Sequence, residues 1–235
     1  MEHHPFTWVS VIPGLSALPG HAATSLLVVG ALILFAYLAN RQLAAASDAA
    51  VPDDSLTLRN LAELLVEGVA GMAEGVLGHN GRHYVHLYGS FFLFILCANL
   101  VGLLPGFAPP TSNFNVTFAL GVLSFIAYNF YGFHEQGVGY LKHFVGPIWW
   151  LGVLMVPLEL IDNFVRPFSL SLRLFGNMTG DHVVLEIFTD LTKVVIPVVF
   201  YMLGAFVSLV QAFVFTLLSM VYVSLAVAGH GDHHH

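Results

Sequence analysis

Charge is what this 235-residue sequence has least of: Asp, Glu, Lys and Arg together make up 9% of it, where a soluble domain carries about a quarter. That scarcity, with 57% hydrophobic residues and a mean hydropathy of +0.80, excludes a water-soluble globular domain and points to an integral membrane protein. Basic residues are rarest, seven against fourteen acids, which leaves no basic patch for nucleic acid. Cysteine is nearly absent. Cys97 stands alone inside an apolar run, so there is no disulfide framework and no zinc pattern, and it reads as a small buried hydrophobe. Also lacking is any polar stretch long enough to build a second domain. The N-terminal MEHHPFTWVSVIPGLSALPG has neither the positive start nor the short apolar core of a cleaved signal. Its prolines argue against helix, so residues 1–21 are expected to form an irregular outer-side leader.

What the sequence does have is long apolar runs. A bilayer core of about 30 Å takes roughly 20 residues of helix. Ala22 to Ala39, Leu87 to Leu104 and Phe114 to Phe133 are uncharged throughout, a fourth run begins near Pro147 and extends to about Gly180, and a fifth is Val194 to Ala228. The expectation is an all-α integral membrane protein whose single membrane domain, 22–229, has spans at about 22–40, 86–105, 114–133, 147–180 and 192–228. The fifth run would be about 52 Å long as continuous helix, too long to stand upright, and Pro157, Pro167 and Pro197 permit bends. The last two spans are therefore expected to form a long, steeply tilted hairpin. Thirteen histidines invite a metal site, but His230 and His233 to His235 lie in a tail, 230–235, and His3 and His4 in the leader, where adventitious binding or an expression tag is the simpler reading.

Arg41, Arg59, Arg82 and Lys142 all fall on one side of alternating spans, which the positive-inside rule assigns to the cytoplasm, placing the N-terminus outside and the C-terminus inside. Between the first two spans, residues 56–78 carry Leu58, Leu61, Leu65, Val69, Met72 and Val76 at three- and four-residue spacing, with Arg59, Glu63, Glu67 and Glu74 off that stripe. Too polar to span, this segment is expected to be an amphipathic interfacial helix packed against protein partners.

The fourth run carries the unusual chemistry. At 100° per residue, Glu159, Asp162, Arg166, Ser169 and Asn177 all lie within about 40° of Arg173 on the helical wheel. Arg166 has Asp162 four residues away, a local partner. Arg173 has only Ser169 and Asn177 at that spacing, and neither neutralises a guanidinium that keeps its proton in any ordinary environment. The cost near mid-bilayer is about 2.5 kcal/mol or more, so Arg173 needs either outer-side water with the Asp181 cluster or an acid on another subunit. The fifth run offers Ser208, Gln211, Ser219 and Tyr222 on or near one face.

The stretch SLSLRLFGNM, Ser169 to Met178, is followed by LVQAFVFTLLSMVY and preceded by ANLVGLLPG from Ala98 to Gly106. Together these resemble the subunit a family of the F-type ATP synthases, over most of residues 85–228. The resemblance implies a non-catalytic, proton-translocating stator subunit of the membrane sector, without cofactor, in a bacterial plasma (inner) membrane. Its implied partners are a ring of c subunits bearing membrane carboxylates, peripheral-stalk b-type subunits, the lipid bilayer and, indirectly, the catalytic head. Arg173 would be the barrier between two offset half-channels, facing the ring. By position Asn177 and Gln211 match the polar residues near that arginine, Glu159 an acid of the inner half-channel, and His182 a relay residue of the outer one. The companion relay position is Gly204, where many relatives carry His or Glu, so Glu186 or Asp181 is left to serve instead. The alternative is a secondary transporter binding an anionic substrate at Arg173, which would favour internal repeats that are not found. An intramembrane metalloenzyme would need an HExxH-like cluster, also absent from the spans.

Overall fold

The computed structural model describes residues 18–45, 57–104, 106–137, 139, 152–191 and 195–227. The leader's first residues, the His-rich tail and the start of the fourth run at Pro147 lie outside them. Within them the chain is all-helical, with six α-helices: α1 Gly20–Ala45, α2 Leu58–Leu77, α3 Val85–Gly102, α4 Phe114–Gln136, α5 Gly152–Leu191 and α6 Val195–Val227. Short 3-10 turns at Gly78–Tyr84 and Pro110–Ser112 lead into α3 and α4. Among the described residues four helical segments are long and apolar enough to cross a membrane: Gly20–Ala44, Gly81–Gly102, Phe114–Gln136 and Pro197–Val227. α5 is long enough at 40 residues, but its acids and arginines keep it out of that set.

The packing is that of a protein whose outside is apolar. Large side chains such as Ile33 and Met202 are 64% and 73% exposed, which lipid tolerates and water does not. The core lies where α3, α4, α5 and α6 meet, built on Tyr88, Ile95, Tyr128, Leu174 and Phe215, all buried. α4 comes close to α5 because Gly121 has no side chain: a Cβ there would run into Ser171 and the Pro167 carbonyl.

The bundle has two distinguishable ends. At one, Thr111 ties the segment before α4 back to α3, its hydroxyl donating to Asn99 Oδ1 at 2.6 Å. There Asn113 caps α4 by accepting from the Asn115 N–H at 3.0 Å and its side-chain nitrogen meets His21 Nδ1 at the start of α1, at 3.4 Å. At the other end Gln136 donates to the Ala226 and Val227 carbonyls at 2.8 and 3.1 Å, satisfying acceptors that the end of α6 leaves orphaned.

α2 turns its expected stripe inward from Leu65 onward and departs from it only in the first turns. Thr57 caps it, accepting from the Asn60 N–H at 3.3 Å, and Val69 and Ala73 are buried, with Leu65, Met72 and Val76 packed against the core. Leu58 and Leu61 are exposed, and Arg59, expected off the packed face, is 2% exposed. Its guanidinium donates to Glu63 at 2.7 Å and its backbone N–H to Gln42 of α1 at 3.1 Å. A buried arginine is tolerable because a carboxylate meets it.

Candidate functional site

α5 continues through Pro157 and Pro167. A proline inside a helix removes one backbone donor, which leaves the carbonyl four residues earlier without its intrahelical bond. For Pro167 that carbonyl belongs to Asn163, and the Tyr128 hydroxyl of α4 donates to it at 3.0 Å while also meeting the Asn163 side chain. Ser171 closes the next turn, donating to the Pro167 carbonyl at 2.6 Å. The stretch that carries the arginines is thus fixed by neighbours as well as by its own hydrogen bonds.

From there α5 presents two faces. Pro167, Leu170, Ser171, Leu174 and Met178 are buried against the bundle. Ser169, Arg173 and Asn177 are exposed on the opposite side, with Glu159 and Arg166 half-buried and Asp162 exposed. Arg166 forms its ion pair with Asp162 and lies over the Tyr222 ring, 5.3 Å from its centroid, within cation–π range. Arg173, close to the middle of the helix, has no hydrogen bond or ion pair among the described residues. The two arginines therefore differ as their spacing suggests: Arg166 has partners among the described residues and Arg173 has none.

Across from this face, α6 contributes Gln211, 4% exposed. Its carbonyl oxygen accepts from the Asn177 side chain at 2.7 Å, while its buried amide nitrogen has no partner among the described residues. Gln211 thus ties α6 to α5 at Asn177, one helical turn from Arg173, and keeps a buried donor unfilled. Deeper in, Ser208 and Ser219 are buried; Ser124 donates to the Ser219 hydroxyl at 2.9 Å and Tyr88 to the Ser219 carbonyl at 3.3 Å.

His182 is half-buried and Glu186 exposed. Neither borders the cavity of about 240 Å³ at the loop end of the bundle, whose lining includes Asp181 and Gly204. So Asn177 meets Gln211, Arg166 meets Asp162 and Tyr222, and Asp181 borders the space at Gly204, while His182 and Glu186 do not line that space. Tyr128 and Asn163 escaped the sequence reading. The signal for them was Pro167 itself, since an apolar environment forces some donor onto the carbonyl it abandons. Among the described residues no group of three or more His, Cys, Asp or Glu is placed to hold a metal ion.

The family profile described as ATP synthase A chain matches residues 22–224. ATP synthase subunit a of Bdellovibrio bacteriovorus is 46% identical over 224 residues, covering 95% of this chain and 98% of the relative. ATP synthase subunit a of Geobacter sulfurreducens is 45% identical over 166 residues, 71% of this chain and 72% of its own.

Proposed function

Since the chain belongs to the ATP synthase A chain family, we propose that it is the proton-translocating stator subunit of a rotary ATP synthase's membrane sector, non-catalytic by itself. The observation that carries this reading is Arg173: exposed, near the middle of a 40-residue helix, and without a carboxylate among the described residues. Its counter-charge is the membrane carboxylate of a ring of c subunits, presented one at a time. The exposed Asn177 side chain, tied to the buried Gln211, flanks that encounter.

The guanidinium does two things. Within a few ångströms it favours the ionised form of the passing carboxylate and so drives proton release. Because arginine does not deprotonate, it also interrupts a proton path between two half-channels, where a lysine could lose its charge on desolvation. Each proton crossing 100 mV carries about 2.3 kcal/mol, so leakage at this point would dissipate the drive. Glu159, toward the start of α5, belongs to the inner half-channel, and Asp181, His182 and Glu186 to the outer.

In this reading α5 joins the four apolar segments as a fifth span in a single membrane domain, 22–229, with residues 1–21 outside and 230–235 inside. The membrane is a bacterial inner membrane, α2 lies along its cytoplasmic interface, and b-type stalk subunits connect the chain to the catalytic head. At about 60 Å and about 50 Å, α5 and α6 exceed the bilayer core and tilt steeply along the curved ring. The direct test is Arg173→Ala in the assembled complex. ATP-driven proton pumping should be lost; pumping at wild-type coupling would refute the proposal, and anion uptake by the purified chain alone would point to a transporter.

A further inference from the structure

At the end of the bundle where α1 begins, one asparagine serves two partners. Asn113 caps α4, its Oδ1 accepting from the Asn115 N–H at 3.0 Å, and its Nδ2 stands 3.4 Å from Nδ1 of His21 on α1. The cap fixes which way round the amide lies, because the helix N–H needs an oxygen against it. The group turned toward His21 is therefore the NH2, a donor. Nδ1 has to accept from it, as a neutral imidazole with its proton on Nε2 does. Once the ring is protonated both nitrogens carry hydrogen, and donor faces donor. Turning the amide over would offer His21 an oxygen but take the cap from α4. Asn113 satisfies both neighbours only while His21 is neutral.

Both side chains are half-buried, so water reaches the ring. The segment that ends at Asn113 is also bound to α3, through the buried Thr111 and Asn99, and it lies against the start of α1, where a Cβ on Gly20 would stand 3.4 Å from Ala108 Cβ. It begins at Leu103, a wall of the cavity beside Gly204. The Thr111 link does not titrate; the His21 link does. The other charged and titratable groups on the elements packed here leave the pair alone. On α1 the next is Tyr37, about 24 Å farther along the axis, and the acids and Arg59 of α2 lie toward Gln42, farther still. The nearest on α3 is Cys97, five residues before its end, the Pro110–Ser112 turn has none, and α4 has none before Tyr128. α5, packed on the same turn, carries Arg173, Asp181 and His182. Among the described residues none of these is bonded to His21 or Asn113.

We propose that His21 and Asn113 form a pH-responsive clasp between α1 and the segment leading into α4, closed while the imidazole is neutral and open once it is protonated. Histidine changes charge between about pH 5 and 8, so the clasp tightens as pH rises through that range and loosens as it falls. The switch depends only on these two side chains. That the pH it senses is the outer one rests on the proposed stator function, which puts this end outside. Acidification of that side then frees from α1 the segment that carries Leu103. His21 carries no proton toward Arg173; it sets how firmly a wall of the cavity is held.

The test reads amide hydrogen exchange of residues 111–118 in the assembled complex, at about pH 5.5 and about pH 7.5. Variants are compared with wild type at the same pH, which cancels the intrinsic pH dependence of exchange. His21→Asn puts an oxygen that does not titrate near the place of Nδ1. Wild type should exchange at least about threefold faster than this variant at the lower pH and within about 1.5-fold of it at the higher. Asn113→Asp keeps the cap, since Asp serves there as well as Asn, but turns a second oxygen toward the ring and so favours the protonated form. It should exchange more slowly than wild type at the lower pH and faster at the higher. A ratio of wild type to His21→Asn that changes less than about twofold between the two pH values, or Asn113→Asp exchanging faster than wild type at the lower pH, would overturn the clasp. If Asn113→Asp does not assemble, His21→Asn decides alone. In inverted membranes, acidifying the lumen should open the clasp; a response only to the external pH would refute the outer placement taken from the stator reading, not the clasp.

Discussion

Arg166 and Arg173 share a stripe on one helix, and the difference between them is a matter of single contacts. Arg166 has a carboxylate one turn away and the Tyr222 ring beneath it; removing either charged partner strands the other in a poorly hydrated place. Asp162→Ala and Arg166→Ala should therefore each lower the amount of assembled complex, while the double variant recovers most of it, measured by quantifying subunits in the membrane. A double variant worse than both singles would mean that the pair does more than cancel charge. Tyr128 offers a second test. Tyr128→Phe changes the packing little but leaves the Asn163 carbonyl, already abandoned by Pro167, without its donor. A buried unsatisfied group costs about 1–3 kcal/mol, which should appear as a lower thermal midpoint of the complex, whereas Tyr201→Phe, on a hydroxyl with no such duty, should leave it unchanged.

At the scale of helices, the α4–α5 approach sets where Arg173 is mounted. Gly121 permits contact with Ser171 and the Pro167 carbonyl that no other residue would allow, and overpacking a core typically costs about 1–3 kcal/mol. Gly121→Leu should push α5 outward and lose both complex stability and proton pumping, while Gly30→Ala on α1, where a Cβ meets nothing within 4 Å, should change neither. The four apolar helices were readable from sequence because lipid demands a continuous apolar exterior. The placement of Arg59 was not, since its burial depends on Glu63 and on Gln42 from another helix. Nor was the reach of α5 to Leu191, beyond the expected end near Gly180. That extension is supported from outside, by Phe188 stacking on Phe200 of α6 at 4.6 Å, a contact no local pattern announces. In the candidate site, the isolation of Arg173 could be read from spacing alone, but the cavity beside Asp181 required knowing that Leu103 and Gly204 come together.

For the whole molecule, the two faces of α5 define what a neighbour meets. Leu170, Ser171, Leu174 and Met178 are covered by the bundle, whereas Ser169, Arg173 and Asn177 are exposed. An arginine left open in a membrane protein implies a facing partner or water, and the stator proposal names the partner as a helix with a mid-membrane carboxylate. Cysteine substitution separates these faces without touching the arginine. With Cys97 replaced by serine, Ser169→Cys and Asn177→Cys should each form a disulfide with cysteines placed about one turn from that carboxylate on the partner helix. Ser171→Cys, one of the fully buried positions at 0% exposure, should form none. Because disulfides require Cα separations below about 7 Å, a positive pair fixes the contact closely. Cross-linking should also fall when the ring is locked so that no carboxylate helix can face Arg173. A bond at Ser171→Cys with none at Ser169→Cys would place the ring on the other side of α5, against the proposed function.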